Sequence, residues 1–406
     1  MKRKVLIALM IVSVLTGCGN DTKKVSTETV KNTEKTETYA DKPEETELDI
    51  THLEEIFQKF DDVKNVAYVS EDKLLVVADQ MYVIDINSCE IVAKNADCDY
   101  VNGEIKIYCN DNNIVIVGKK YKDIGNQKIV FLDDADAPKQ CVLYYDYQLN
   151  LVKNINIYDT FGLNPDSAEY VAVNQSGNLA VYDDIFGVLY LCDIDTKKKK
   201  KIFGKRNDAL VYDHKLQFTI SGGIAFAEND ERIVFKAECR DYSAEEGRSD
   251  VCGIGSVRLD GKEYEVTKAG DEYTKLEVFN HYAMLSQDCG YTIPTGKVIK
   301  YMIDTNCAEM INLKTKEESE SLYCAKNGNI VATSEKSKEN HWNIRFYDAT
   351  LGELISEKRY DALPLGNYRE PKIYVFEKYN IALLYWETED ENSKDAFGFV
   401  QYSKKK

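Results

Sequence analysis

The chain has 406 residues, of which 44% are hydrophobic and 30% are charged, and its formal net charge is −17. This length and composition suffice for a sizeable buried core. The acidic balance disfavours DNA, RNA and anionic lipid surfaces as partners, because all of them carry negative charge. We therefore expect no nucleic-acid partner.

The N-terminus has the pattern of an export signal that ends at a cysteine. Basic residues at 2–4 precede an apolar run at 5–15, which is shorter than the roughly 20 residues that span a bilayer. The sequence LTGC at 15–18 resembles the bacterial lipobox, and the resemblance covers residues 1–18. It implies a signal peptide at 1–17 and a lipid on Cys18, with acyl chains such as palmitate, that anchors the protein on the outer face of a bacterial cell membrane. The alternative is an ordinary signal peptide with a chance cysteine.

Residues 18–48 follow as a polar segment rich in Thr, Lys and Glu, with Tyr39 as its one aromatic residue. No apolar periodicity of 2 or 3.6 residues is present. Such a composition buries too little surface to offset the entropy of ordering. We predict a disordered tether here and a folded domain at 49–406.

The domain begins with one predicted helix, "DITHLEEIFQKFDDV", in which Thr51 is the expected cap with Glu54 three residues on. Its apolar positions share one face: Leu53, Ile56, Phe57 and Phe60. Beyond it the period changes to 2, in short runs rich in β-branched and aromatic residues and separated by Asn, Asp, Gly and Lys. No long helical pattern interrupts these strands, which predicts an all-β domain.

A unit recurs in which a strand runs into an Asp-containing turn and a second strand. The segments "VIDINSCEIV" and "FYDATLGELI" align at Asp85 and Asp348. Weaker copies have these residues in the same position: Asp146, Asp193, Arg258 and Asn312. The mean spacing of about 53 residues is close to the length of a four-stranded propeller blade and predicts a β-propeller with seven blades, or six as the alternative.

The last unit shows three strands, and we predict that the missing outer strand comes from residues 63–69. From 65 to 406 the chain resembles bacterial surface β-propellers of the WD40-like and YVTN-like type. The Gly-His and Trp-Asp marks of WD40 blades are missing, so the resemblance implies a fold and no binding residues. Tandem β-sandwiches are the competing architecture.

Ten cysteines remain besides Cys18, and an exported protein can pair them. Cys239 and Cys252 flank a polar loop between two predicted strands and are the candidate disulfide. Four other cysteines lie within apolar strands, where a thiol serves as a small buried hydrophobe: Cys109, Cys141, Cys192 and Cys324.

Catalytic and metal-binding motifs are missing from the sequence. The four histidines, which lie far apart, are His52, His214, His281 and His341. We expect no catalytic residue, no metal site and no cofactor. Calcium is the one ion with candidate ligands, in the acidic clusters at 97–99, 133–136 and 387–391, although acidic hairpin tips are usually solvated.

Two further features have a structural and a binding interpretation. The lysine run Lys197–Lys201 suits a sheet edge that avoids aggregation better than a site for an anionic glycan. The 28 tyrosines suit cross-strand packing better than sugar stacking at a propeller mouth.

Together these patterns favour a membrane-anchored, monomeric binding propeller whose loops or central mouth recognise a protein or an envelope glycan. The alternative is a glycan-active hydrolase or lyase that uses carboxylates at the propeller channel. An assembly scaffold that faces the periplasm is the third hypothesis.

Overall fold

The computed structural model describes residues 48–403 with gaps at 61–62, 97–104, 111, 121–138, 165–167, 169, 184–186, 205–210, 214–215, 228–229, 242–248, 271–274, 280, 287–296, 314–321, 338–340, 362–367 and 389–393. All of these described residues belong to one compact unit, Leu48–Lys406. None of the helices in this described part is long and apolar enough to cross a membrane.

The described strands form seven antiparallel sheets, and the strands of each sheet are hydrogen-bonded in chain order. Blades 1 to 4 are β1 (Asn65–Ser70), β2 (Lys73–Val77), β3 (Met81–Asp85) and β4 (Glu90–Asn95); β5 (Lys106–Cys109), β6 (Ile114–Lys120), β7 (Lys139–Tyr145) and β8 (Leu151–Asn156); β9 (Tyr170–Val173), β10 (Leu179–Asp183), β11 (Val188–Asp193) and β12 (Lys198–Gly204); and β13 (Val211–Asp213), β14 (Leu216–Ala227), β15 (Arg232–Asp241), β16 (Ser249–Arg258) and β17 (Glu265–Gly270).

Blades 5 to 7 are β18 (Lys275–Val278), β19 (Tyr282–Ser286), β20 (Lys297–Met302) and β21 (Cys307–Asn312); β22 (Leu322–Cys324), β23 (Ile330–Lys336), β24 (Trp342–Asp348) and β25 (Leu354–Tyr360); and β26 (Lys372–Phe376), β27 (Ile381–Trp386) and β28 (Ala396–Gln401). The fold is a seven-bladed β-propeller. The predicted fold class and blade number are confirmed, and the alternative of tandem β-sandwiches is wrong.

The blades are buried on both faces, as β2 illustrates. Leu74 and Val76 pack toward the last blade, whereas Leu75 and Val77 pack toward the second. All four side chains are fully buried. Because successive side chains of a strand point to opposite faces, a strand between two neighbours needs an unbroken apolar run.

The core is divided among the interfaces between blades. The described residues form seven hydrophobic clusters, and each cluster joins two adjacent blades. The ring closes between the last blade and the first, where the ring centroids of Tyr68 and Tyr374 are 5.6 Å apart in an edge-to-face arrangement. Radial stacking thus buries both faces of every sheet without requiring a single central core.

A helix, α1 (Ile50–Phe57), packs against the outermost strand of the last blade. The Phe57 ring lies 5.6 Å from that of Phe399 on β28, and the Phe399 backbone N–H donates to Glu54 Oε1 over 3.3 Å. The prediction that residues 63–69 supply an outer strand here is wrong, because β1 is the innermost strand of the first blade. The helix protects the edge of β28 instead.

The predicted helix is confirmed, but its cap is not. Asp49, rather than Thr51, is the capping residue, and its Oδ1 accepts a hydrogen bond from the His52 backbone N–H over 3.0 Å. Leu53 and Phe57 are fully buried, as the apolar face predicted. A second, five-residue helix, α2 (Ile157–Phe161), follows β8 and was not predicted.

The recurring Asp is a turn residue between the third and fourth strands of a blade. In the sixth blade, Asp348 Oδ1 accepts hydrogen bonds from the backbone N–H groups of Thr350, over 2.8 Å, and Leu351, over 2.7 Å. Asp85 accepts from the equivalent two N–H groups, and Asp146 and Asp193 also accept from backbone N–H groups of their own turns. A short carboxylate that binds the N–H groups two or three residues on stabilises such a turn.

One predicted copy of this position is wrong. Asn312 is the last residue of β21, which is the fourth strand of its blade. The equivalent residue is Met302, which pairs with Cys307 as Asp85 pairs with Glu90. Arg258 ends β16, the strand before the outermost one in its five-stranded blade, as predicted.

Two turns of each blade lie on the same face of the propeller, which we call the turn face. In a four-stranded blade it is formed by the turns that join the first strand to the second and the third strand to the fourth; in the five-stranded fourth blade the equivalent turns join β14 to β15 and β16 to β17. In the first blade, the Ile86 N–H donates to the Asp72 carbonyl over 2.8 Å, and in the sixth the Ala349 N–H donates to the Asn329 carbonyl over 3.0 Å. These bonds hold the two turns of a blade side by side.

Candidate functional site: the central channel

The innermost strands of the seven blades surround a central cavity of about 570 Å³. Each strand contributes to its wall, as shown by one residue from each blade in turn: Tyr68, Tyr108, Val173, Phe226, Glu277, Tyr323 and Tyr374. The volume lies within the range of about 300–1,000 Å³ that is usual for small-molecule sites. The fold therefore builds a candidate binding site from seven separate parts of the chain.

The tyrosines of the wall use their hydroxyl groups between blades. Tyr374 donates to the Val66 carbonyl over 2.9 Å, and Tyr68 donates to the Val375 carbonyl over 3.1 Å. Tyr108 makes the same kind of bond to the third blade. Burial raises the pKa of the Tyr68 and Tyr374 hydroxyls well above the usual value of tyrosine. These residues thus offer the cavity the surface of their rings rather than an acid or a base.

A cluster around Lys275 forms the charged part of the wall. Its Nζ lies 2.7 Å from Glu277 Oε1 and donates to the Leu322 carbonyl over 2.8 Å. The same ammonium lies 4.9 Å from the centroid of the Tyr323 ring. The cluster joins the fifth blade to the sixth and leaves Glu277 neutralised by its own neighbour on the strand.

Two other charged groups of the wall also have partners. Lys372 forms an ion pair with Glu387, and its Nζ lies 5.5 Å from the Tyr385 ring centroid. Asp230 Oδ2 accepts a hydrogen bond from the Gln175 backbone N–H over 2.6 Å, which links the third and fourth blades. These side chains fix the geometry of the wall.

Lys326 differs from these groups. It lies on the turn face, between β22 and β23, and lines both the central cavity and a small cavity beside it. Its side chain is exposed, and it makes no ion pair with any residue that the structure describes. An ammonium group in this position is available to a ligand.

The two thiols of the wall are poor nucleophiles. Burial raises the pKa of Cys109 to about 11, an effect that the charge of Lys326 partly offsets. Burial, followed by the negative charge of Glu277, raises the pKa of Cys324 well above the usual value. Because the thiolate is the reactive form, these protonated thiols act as apolar wall groups.

The strand register does not bring the proposed disulfide partners together. Cys239 pairs with Val251, and Cys252 pairs with Glu238. This offset of one residue points the two side chains to opposite faces of the sheet. Cys239 packs toward the third blade and Cys252 toward the fifth. Both are thiols in the structure, since a disulfide needs side chains that face each other.

The other candidate sites fall largely outside the described residues. This holds for Cys18 and for the acidic residues at 97, 99, 133, 134, 136 and 389–391. Glu387 is described and pairs with Lys372 and Arg369. Within the described part of the chain, no three His, Cys, Asp or Glu side chains are grouped so that they could hold a metal ion.

Three histidines and the lysine run lie among the described residues, and none of them lines the central cavity. His341 is buried and its Nδ1 is 2.8 Å from Ser337 Oγ, whereas His52 and His281 are exposed; His214 lies outside the described residues. Lys198–Lys201 belong to β12, the outermost strand of the third blade. The interpretation of this run as a sheet edge is confirmed.

The sequence prediction did not identify the residues of the channel. A period of 2 identifies strands, but it does not say which strand of a blade is innermost. A signal was present in two similar turns, "NQSGN" at 174–178 and "AKNGN" at 325–329. Each of them follows an innermost strand and contributes to the cavity wall through its second residue, Gln175 or Lys326.

No protein-family model matches the chain, and a search of curated proteins finds no significant match.

Proposed function

We propose that this protein is a lipid-anchored binding propeller that works outside a bacterial cell membrane and holds part of a protein or an envelope glycan in its central channel. One observation carries the proposal. Seven innermost strands converge on a cavity of about 570 Å³, a size that suits a ligand rather than a packed core. A β-propeller is compatible with many functions, so the fold by itself does not indicate binding, whereas a cavity of this size does.

The chemistry of the wall favours binding over catalysis. Its tyrosine hydroxyls bind backbone carbonyls of neighbouring blades, and its thiols have raised pKa values. Its described carboxylates, on Asp230 and Glu277, are bonded to the protein itself. A rigid wall whose tyrosine hydroxyls and carboxylates are already bonded can recognise a ligand without reorganisation.

A thermal unfolding experiment tests the binding site. We expect one member of a panel of envelope glycans to stabilise the Cys18→Ser chain, by about 2.7 kcal/mol at 100 times its Kd. Val173→Trp, which places an indole in the cavity wall, should abolish that shift. Val152→Trp is the matched control, because Val152 is 60% exposed on an outer strand.

Other results would change the proposal. A shift that survives Val173→Trp would place the ligand elsewhere on the molecule. No shift with any glycan would favour a protein partner, to be sought by crosslinking on intact cells. Turnover of a bound glycan that is lost in Asp230→Asn and Glu277→Gln would instead establish the hydrolase or lyase hypothesis.

The anchor has its own test. Cells that express the protein and are fed a labelled palmitate analogue should incorporate the label, and Cys18→Ser should abolish incorporation. Cys89→Ser is the control, because Cys89 is buried in the propeller. Label that persists in the Cys18→Ser variant would contradict lipidation at this position.

A further inference from the structure

The charge of the cavity wall contrasts with that of the whole protein. The chain carries a net charge of −17, yet three lysines line the cavity, Lys275, Lys326 and Lys372, against two described carboxylates. Low-dielectric walls concentrate the field of such a group inside a cleft. The cavity wall is therefore less acidic than the molecule as a whole and can accommodate an anion.

Lys326 is the lysine that a ligand can use. Lys275 and Lys372 have Glu277 and Glu387 as partners. Lys326 has no ion pair within the described residues. Two carboxylates, Glu71 and Glu377, line the adjoining small cavity together with Lys326, and neither forms an ion pair with it in the described structure. Glu377 is bonded to two side-chain amides, at 2.6 Å and 3.2 Å.

The turn that carries Lys326 is held rigidly. The Ala325 N–H donates to the Ile330 carbonyl and the Gly328 N–H to the Ala325 carbonyl, both over 2.9 Å. Tyr282 of the neighbouring blade donates to the Gly328 carbonyl over 2.7 Å. Gly328 has a φ of +79°, a conformation that glycine adopts without strain. The backbone of Lys326 is thus fixed at the mouth of the channel before any ligand arrives.

The remaining wall suits a saccharide. Tyr68, Tyr108, Tyr323 and Tyr374 line the cavity, and aromatic rings stack against the apolar faces of sugars. Except in the fourth blade, where β14 pairs with both β13 and β15, the innermost strand pairs on one side only, so backbone N–H and C=O groups alternate along its inner edge. Sugar hydroxyls both donate and accept, which matches this alternation. A compact ligand can reach several blades, whereas an extended peptide would pair with one edge.

We infer that the channel binds an acidic saccharide, with the carboxylate of the sugar on the Lys326 ammonium and its rings against the tyrosines of the wall. This inference rests on the proposed function and names the ligand class of the same site. Charge-assisted hydrogen bonds of this kind are about twice as strong as neutral ones.

The test compares acidic and neutral saccharides on the Cys18→Ser full chain by calorimetric titration. The acidic probes are tetragalacturonate, a hyaluronan tetrasaccharide and N-acetylmuramic acid, and the neutral probe is maltotetraose. We expect an acidic probe to bind at least tenfold more tightly than maltotetraose. Lys326→Gln should remove that preference. Lys94→Gln, an exposed lysine on an outer strand, should preserve it.

Four outcomes would overturn the inference: equal binding of maltotetraose, no binding of any acidic probe, unchanged binding by Lys326→Gln, or an equal loss with Lys94→Gln. If tetraglutamate binds more tightly than every acidic saccharide, the ligand of the channel is an acidic peptide instead. If neutral glycans bind and Val173→Trp blocks them, the binding propeller stands while its acidic preference falls. If no glycan binds at all, both the acidic preference and the proposal that the channel binds a glycan are wrong.

Discussion

At the scale of single residues, the repeated Asp is explained by the backbone that it stabilises. Asp348 accepts two backbone hydrogen bonds in its turn. We expect Asp348→Ala to lower the free energy of unfolding by about 1 kcal/mol, because two N–H groups lose their acceptor. Asp348→Asn should retain most of that stability, since an amide oxygen accepts the same bonds. Urea denaturation of the three chains measures the difference.

The control for this prediction is Glu309→Ala, at an exposed position of β21. Its stability should stay close to that of the parent chain. Equal losses in Asp348→Ala and Glu309→Ala would show that the turn bonds contribute nothing of their own.

Asp85 gives the same kind of turn a pH dependence. Partial burial opposes its charged form, but the hydrogen bonds from Lys73 and from the Ser88 and Asn87 N–H groups outweigh burial, and the pKa is lowered. A lowered folded-state pKa contributes stability above the unfolded value of about 3.9 and loses it as the pH falls through the folded value. We therefore expect the stability difference between the parent and Asp85→Asn to be largest near neutral pH and to shrink toward about pH 3.

Denaturant titrations at several pH values check this expectation. The Lys73 Nζ to Asp85 Oδ2 distance of 3.0 Å makes Lys73→Met a second variant that should show the same trend. A stability difference between the parent and Asp85→Asn that is constant across the pH range would contradict the role of the carboxylate charge.

The role of a residue could be predicted from the sequence where that role depends only on residues nearby in the chain. The Asp turns could be recognised because the side chain bonds within its own turn, two or three residues away. The fifth blade was misaligned because it has Met302 in place of Asp. Its turn shares a positive φ with the Asp-containing turns, +48° at Asn306 and +54° at Cys89, but the sequence does not show this backbone conformation. Lys326 was not identified because its position at the cavity wall exists only when all seven blades are assembled.

At the scale of elements, α1 replaces the fourth strand of the last blade. Phe57 is fully buried, and its ring lies 5.3 Å from that of Phe397 on β28. We expect Phe57→Ala to cost about 3–5 kcal/mol, because it leaves a cavity between helix and strand. Glu55→Ala, on the exposed side of the same helix, should change stability by less than about 0.5 kcal/mol.

Guanidinium denaturation of both variants tests this prediction. Similar small effects would mean that the helix packs too loosely against β28 to form part of the propeller. The amphipathic pattern predicted the helix and its buried face, because both depend on spacing along the chain. Its position did not follow from the pattern, since any apolar edge of the domain offers a similar surface.

At the scale of the whole molecule, the blade number was predictable and the central channel was not. Repeat spacing reports the number of blades because each blade is one structural unit of similar length. The fourth blade is longer than the mean repeat spacing, because β14 is 12 residues long and has a bulge near Gly223, which has a φ of +112°. The channel is a property of ring closure, so no single segment contains its signature.

Ring closure leads to a prediction about truncation. The compact unit begins at Leu48, so a chain that starts there should unfold within about 2 °C of the Cys18→Ser full chain. A chain that starts at Val63 lacks α1 and exposes the β28 edge together with Phe397 and Phe399. Loss of three buried apolar side chains, Leu53, Ile56 and Phe57, is worth on the order of 5 kcal/mol and should lower the unfolding temperature by on the order of 10 °C.

The same truncation should change how the protein associates. An unprotected edge strand with apolar neighbours pairs with other chains, so the chain from Val63 should self-associate with rising concentration while the chain from Leu48 should not. Scanning calorimetry and light scattering on the two chains separate these effects. If both chains unfold at one temperature and stay monomeric, the hydrophobic cluster between the first and last blades closes the ring without the helix. If they differ as expected, closure of the ring depends on α1 as well as on the strands of the first and last blades.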